Sequence, residues 1–391
     1  MSLVDTAESW LAAHYDDVIA WRRHIHAHPE LGRQEFATTQ FVAATLADAG
    51  LNPKVLPAGT GLTCDLGPDH LPRIALRADM DALPMPERTG APYTSVIPNV
   101  AHACGHDAHT AMLLGAALAL ASVPDLPVGV RLIFQPAEEL MPGGAIDTIA
   151  AGALAGVSRI FALHCDPRLA VGKVGITVGP ITSAADQIDI TLQSPGGHTS
   201  RPHLTADLVY GLGTLITGLP GVLSRRIDPR NSTVMVWGAV NAGVAANAIP
   251  QIGTLSGTIR TASHDTWLSL EAIVREIVAA LLAPLRVEHA LAYRRGVPPV
   301  VNEETSTRIL THAIEAVGPD VPAETRQSGG GEDFSWYLEE VPGAMARLGV
   351  WPGRGPQVDL HQPTFDLDER AMAIGVRVLV NTVEQAAAFE T

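Results

Sequence analysis

The densest chemistry in the chain lies in eight residues, His102-Ala103-Cys104-Gly105-His106-Asp107-Ala108-His109, which set three imidazoles, a thiol and a carboxylate just before a helical stretch. Packing alone rarely gathers so many polar groups. A thiolate beside imidazoles suits zinc and tolerates neighbouring first-row metals, while Asp107 is also a candidate helix cap. A second centre is Glu138-Glu139, which follows an apolar run and Gln135-Pro136-Ala137. Two adjacent carboxylates repel unless positive charge lies near them. Neighbours on an extended chain point to different sides, so one glutamate is expected to ligate metal and the other to reach a metal-held water. Asp79 and Asp81 in RADMDALP finish another run on one side. Carboxylates so placed commonly orient metal-bound histidines, a structural turn being the alternative. His164 in RIFALHCDP and His361 in LHQPTFDLD are ambiguous singly, and their expected place beyond strand ends brings them into the set.

The elements that must position these groups follow from the hydrophobic pattern. RIALRADMD, VGVRLIFQPAEE and RIFALHCDP are short apolar runs with polar ends, as buried parallel strands are. Helical stretches at 110–122 and 145–155 separate them, which predicts an α/β domain with a mixed, mainly parallel sheet and helices on both faces. Ligands in such sheets bind beyond the carboxyl ends of the strands. After about Gly179 the pattern becomes strand-helix-strand-strand-helix-strand, the split ferredoxin-like unit. The expected organisation is a catalytic domain over 1–179 and 291–391, with an α+β ferredoxin-like lid inserted over 180–290. A helix near 305–317, a glycine-rich turn at 328–331 and a final helix from Asp368 complete the first domain.

A net charge of −15, with only 26 Lys and Arg, argues against nucleic acid or an anionic membrane surface as partner. The most apolar stretch, 111–123, is too short to span a bilayer. The first 26 residues read as an amphipathic helix rather than a signal peptide, so a cytoplasmic enzyme is expected. Three cysteines are too few for a disulfide framework and remain free to ligate metal.

Taken together, RRHIHAHPELG, LRADMDALP, HACGHDAHT, QPAEE, LHCDP, GGHTSRPH, NAIP, GGGEDFSWY and LHQPTFDLDE, in this order, cover nearly the whole chain. In them the chain resembles the zinc-dependent metallopeptidase superfamily of aminoacylases and carboxypeptidase-like exopeptidases. The likeness is to its aminoacylase-like amidohydrolases, hippurate hydrolase and auxin-conjugate hydrolase among them. The resemblance implies two divalent ions per subunit, Zn or Mn with Co or Ni as options, shared by Cys104 and completed by His106, Glu139, His164 and His361. It implies Glu138 as general base, Asp79 as its supporting partner, and His198 as a histidine that reaches across a homodimer formed through the lid. Asn247 and Arg260 are implied to hold the substrate, with Gly329, Gly330 and Gly331 closing around its carboxylate. The implied reaction is hydrolysis of an N-acyl amino acid by a metal-activated water. A dipeptidase or N-carbamoyl amidase on the same scaffold is the alternative, and a non-catalytic metal-binding protein the remote one. The chain departs from the pattern in Thr199-Ser200-Arg201, where small residues are usual, and in its extra glycine before Glu332.

Overall fold

The structure, a computed structural model, describes residues 3–68 and 70–390. They divide into two compact units. One runs to Ile181 and resumes over Val301–Arg326 and from Asp333 onward; the other comprises Thr182–Val300 and Gln327–Glu332. The second unit therefore reaches past residue 290, because the strand Glu288–Val297 pairs with Ala184–Gln193 along most of its length and cannot be divided. It also takes in the glycine-rich turn, which had been expected with the catalytic domain.

In the first unit, β-rich apolar runs form an eight-stranded sheet. Its spatial order is Lys54–Val55, Leu62–Leu66, Gly129–Gln135, Arg73–Asp79, Val157–Ala170, Gly343–Trp351, Val174–Gly175 and Pro322–Ala323. The four central neighbours are parallel, and Leu62–Leu66 runs antiparallel to Gly129–Gln135. Central residues such as Ile74, Leu76, Ile133, Phe134 and Phe161 are fully buried, as strands covered on their faces require. The helix His106–Ala121 is buried along nearly its whole length, with Leu3–Ala27 and Arg370–Glu390 packed against it. It starts earlier than the apolar pattern suggested, so His106 and His109 stand in its first turn. Gly105, at φ +95°, makes that entry; a Cβ there would lie 2.9 Å from the Cys165 sulfur.

In the second unit, four antiparallel strands order as Val234–Ala242, Ile252–Thr261, Ala184–Gln193 and Glu288–Val297. Leu208–Arg226 and His264–Leu282 supply the two helices of the ferredoxin-like unit. Its core gathers Ile188, Ile190, Leu192, Leu215, Leu255 and Val274. Among the described residues, no helix is long and apolar enough to cross a membrane.

Candidate dinuclear metal site

Two groups of donor atoms meet in the first unit. The donors of Cys104, His106 and His164 lie within 4.8 Å of one another, as do those of Cys104, Glu139 and His361, so the thiol belongs to both groups. His106 and His164 are aimed by their other ring nitrogen, and His361 by its backbone. His106 Nδ1–H donates to the Asp81 carbonyl at 2.9 Å, which leaves its buried Nε2 without a hydrogen-bond partner among the described residues, 3.9 Å from Glu139 and 4.0 Å from Glu138. His164 Nδ1–H donates to the Cys165 carbonyl at 2.7 Å and turns Nε2 to 3.7 Å from the Cys104 sulfur. The His361 amide donates to the Ala103 carbonyl at 2.7 Å, and its Nε2 stands 3.1 Å from Glu139. Tying one ring nitrogen to a backbone carbonyl and freeing the other is how metal-ligating histidines are held.

The chemistry of this donor set fits divalent cations. Burial pushes the Cys104 thiol well above its usual pKa, and Glu139 adds to the shift. A thiolate there requires a cation beside it. The unpartnered His106 nitrogen makes the same demand, since a buried acceptor without a partner costs free energy.

The two glutamates do not diverge as strand alternation predicted. The strand ends at Gln135 and Ala137 adopts φ +58°, so Glu138 and Glu139 lie in a turn with both carboxylates converging on His106. Asp81 makes this possible: its two oxygens accept the Glu138 and Glu139 amides, each at 3.0 Å. The sequence offers Asp81, with Asp79, as a carboxylate that orients a histidine or holds a turn; here its side chain holds the glutamate turn and its backbone carbonyl aims His106. Asp79 itself binds Arg77 at 2.5 Å and His109 at 2.6 Å. His109 accepts the Cys165 amide on Nε2 at 2.8 Å, so both its nitrogens are used and it cannot ligate. Asp107 is likewise occupied, by Arg22 at 2.7 Å and His26 at 2.8 Å, and makes no capping bond. Burial pushes His102 down to a pKa of about 4, which leaves a neutral imidazole outside both donor groups. Arg22 and His26 were missed as supports, though both sit in the RRHIHAHPELG motif.

The second unit holds the remaining candidates in two places. Gly197–His198 pairs with Ala248–Ile249, and the Thr199 amide donates to Asn247, so His198 and Asn247 are neighbours. The Ser200 amide donates to His198 Nδ1 at 3.1 Å; Nδ1 is thus an acceptor, and Nε2–H is the exposed donor. Elsewhere Arg260 donates to the Gly329 carbonyl at 3.0 Å, and Ser183 donates to Gly330. Arg260, Gly329, Gly330 and Gly331 therefore share one unit.

Known proteins resemble the chain over nearly its full length. It is 59% identical over 364 residues to a Rhodococcus jostii protein named as a glutamate–cysteine ligase, an alignment covering 93% of this chain but 46% of that one. The chain thus spans about half the length of that relative. It is 36% identical to a Bacillus subtilis N-acetyl-L-cysteine deacetylase, over 91% of this chain and 84% of that protein. A Bacillus subtilis crystal structure described as a dinuclear metal binding peptidase superposes with a TM-score of 0.85 at 31% identity, covering 96% of this chain and 99% of the other. Since the profile of Peptidase family M20/M25/M40 also matches residues 75–385, the chain belongs to that family of hydrolases.

Proposed function

We propose that the protein hydrolyses the amide bond of N-acyl amino acids, using two divalent ions held by Cys104, His106, Glu139, His164 and His361. The observation that carries this reading is the thiol shared by two donor groups, with the Glu138 carboxylate beside them. Bound ions of this kind polarise a carbonyl and lower the pKa of a held water from near 16 to about 7. Glu138, its side chain 9% exposed, takes the proton of the attacking water and returns it to the leaving amine. Asp81 fixes the backbone from which Glu138 and Glu139 project, while Asp79, through His109 and Arg77, braces the floor of the site.

His198, with Nε2–H as its free donor, supplies a hydrogen bond that strengthens as charge develops on the carbonyl oxygen. It acts from a second copy in a homodimer. An exposed edge supports that assembly: Val234–Ala242 ends the second unit's sheet, and Val234, Val236 and Val240 are each more than half exposed. An unpaired apolar edge of this length invites another strand. Arg260 and the turn Gly329 to Gly331, already joined by a hydrogen bond, grip the substrate carboxylate, and Asn247 orients the amide. Zinc or manganese is the expected metal, with cobalt or nickel able to replace it, and the cytoplasm the expected compartment.

The test is amine release from a panel of N-acetyl, N-benzoyl and N-carbamoyl amino acids and dipeptides, with and without a chelator. Chelator-sensitive release from the acyl amino acids is expected. Release only from dipeptides or only from carbamoyl substrates would replace this reading with a dipeptidase or a carbamoyl amidase, and no release from any would overturn it.

A further inference from the structure

We infer that Glu35 is a positioning residue for the Glu138-Glu139 pair, holding the amide that precedes them; the inference rests on the roles proposed for that pair. Glu35 is fully buried, and one of its carboxylate oxygens accepts the Ala137 N–H at 2.7 Å. Its other oxygen has no hydrogen-bond partner among the described residues. With Asp81 accepting the next two amides, three consecutive N–H groups, of Ala137, Glu138 and Glu139, are held by two carboxylates. The grip falls where the backbone needs it. Ala137 stands at φ +58°, a left-handed conformation that costs an L-residue with a Cβ free energy unless its surroundings impose it.

Glu35 is itself anchored on both sides. Glu30 caps the helix Phe36–Asp48, its carboxylate accepting the Ala37 amide at 3.0 Å and the Thr38 amide at 2.8 Å. The Glu30 carbonyl accepts the Ala82 amide at 2.8 Å, so the segment is tied to the chain just past Asp81. Gly32 brings the backbone against the glutamate turn: a Cβ there would lie 2.9 Å from Leu140 and 3.2 Å from the Ala137 Cα. The 30–35 segment is thus a strap that connects the ends of two central strands and sets the direction in which both glutamates leave. Burial pushes the Glu35 pKa up to about 7, so a neutral amide of the same shape is a fair replacement for its acceptor oxygen.

The experiment compares Glu35→Ala, Glu35→Gln and the double variant Glu35→Ala/Ala137→Gly in the full chain loaded with Co2+. Readouts are cobalt affinity by chelator competition, the visible cobalt spectrum, and kcat and KM on whichever panel substrate the wild type cleaves. Glu35→Ala is expected to weaken the binding of one of two cobalt ions and to lower kcat at saturating cobalt, each by about 10-fold, with KM changed less than about threefold. Glu35→Gln keeps an acceptor and should stay within about threefold of wild type, while glycine at 137 adopts the left-handed turn unaided and should recover part of both losses. Wild-type cobalt binding and kcat in Glu35→Ala would overturn the inference, as would a Glu35→Gln variant as impaired as the alanine. If Glu35→Ala does not fold, Glu35→Asp, whose carboxylate is withdrawn by one methylene, carries the same comparison against Glu35→Gln. A wild type inactive on every substrate would defeat the reading of Glu138 as base, yet the cobalt measurements would still decide the role of Glu35 through Glu139.

Discussion

In the first unit, Cys104, His106 and His164 are buried, and each histidine has one nitrogen committed to a backbone carbonyl. In the second unit, His198 and Asn247 are exposed, and His198 is aimed by the single turn that carries Ser200. The donor cluster is drawn from the chain at 104, 106, 139, 164 and 361, and it is held by a helix start, the turn after Gln135, the interior of a strand and the turn at His361. The second unit's candidates sit on a short two-stranded ladder and a loop. On the roles proposed, the difference separates two physical tasks. A polynuclear site needs donors fixed before the ion arrives, because unpartnered buried donors must be held against collapse. Groups that grip a substrate and then release it gain from standing on mobile, solvated segments.

The sharpest way to break this division is Glu138→Ala. With both metals retained, kcat is expected to fall by about 10²- to 10⁴-fold, the range for loss of a general acid–base group, and the metal content measured on the same sample must match wild type. Activity within a few-fold of wild type would remove the base assignment. His198→Ala tests the other side. A fall of about 10²- to 10³-fold in kcat with unchanged metal content fits a donor to the developing oxyanion. Mixing the inactive Glu138 and His198 variants should then regenerate activity through hybrid dimers; no recovery despite proven subunit exchange would place His198 in its own subunit or outside the reaction.

What the sequence made legible follows the same division. Buried strands and their polar ends are local signals, so Arg73–Asp79, Gly129–Gln135 and the cluster of donor side chains could be placed from periodicity and residue type. His164 shows the limit: its strand runs on to Ala170, and it is not at a strand end but opposite Arg347 in the ladder. Nothing in one strand's pattern shows where its neighbour stops. The left-handed turn at Ala137 was equally hidden, because alanine carries no signal for positive φ, and the turn's amides are held by the buried carboxylates of Glu35 and Asp81, distant in sequence. The boundary at 290 failed for the same reason, since the Glu288–Val297 ladder is a long-range pairing.

Arg260→Ala sharpens the comparison at lower amplitude. Losing a charged hydrogen-bond donor to the substrate carboxylate should cut kcat/KM by about 10- to 100-fold, mainly through KM, with metal affinity untouched. A loss confined to kcat would instead assign Arg260 to shaping the glycine turn through its bond to Gly329.

The smallest effect concerns how each unit caps a helix. Glu303 opens the helix Glu304–Val317 and accepts the Thr305 amide at 2.8 Å, the Ser306 amide at 2.7 Å and Arg159 at 2.9 Å. The side chain of Asp207, which opens Leu208–Arg226 in the second unit, accepts the single amide of Tyr210 among the described residues. Burial opposes the charge on Glu303, but the two amides, the Ser306 hydroxyl and Arg159 together outweigh it and bring its pKa from 4.5 down to about 2. A carboxylate depressed in the folded state contributes stability above its unfolded pKa and loses it as pH falls through the folded value. Glu303 is more than a third exposed, so solvent screening discounts the full shift and Glu303→Ala should cost about 1 kcal/mol near neutral pH. Denaturant unfolding of wild type and variant should show that gap constant above pH 4.5 and closing towards pH 2. Asp207→Ala should give a smaller gap, and an equal or larger one would show that the second unit relies on its caps as much as the first.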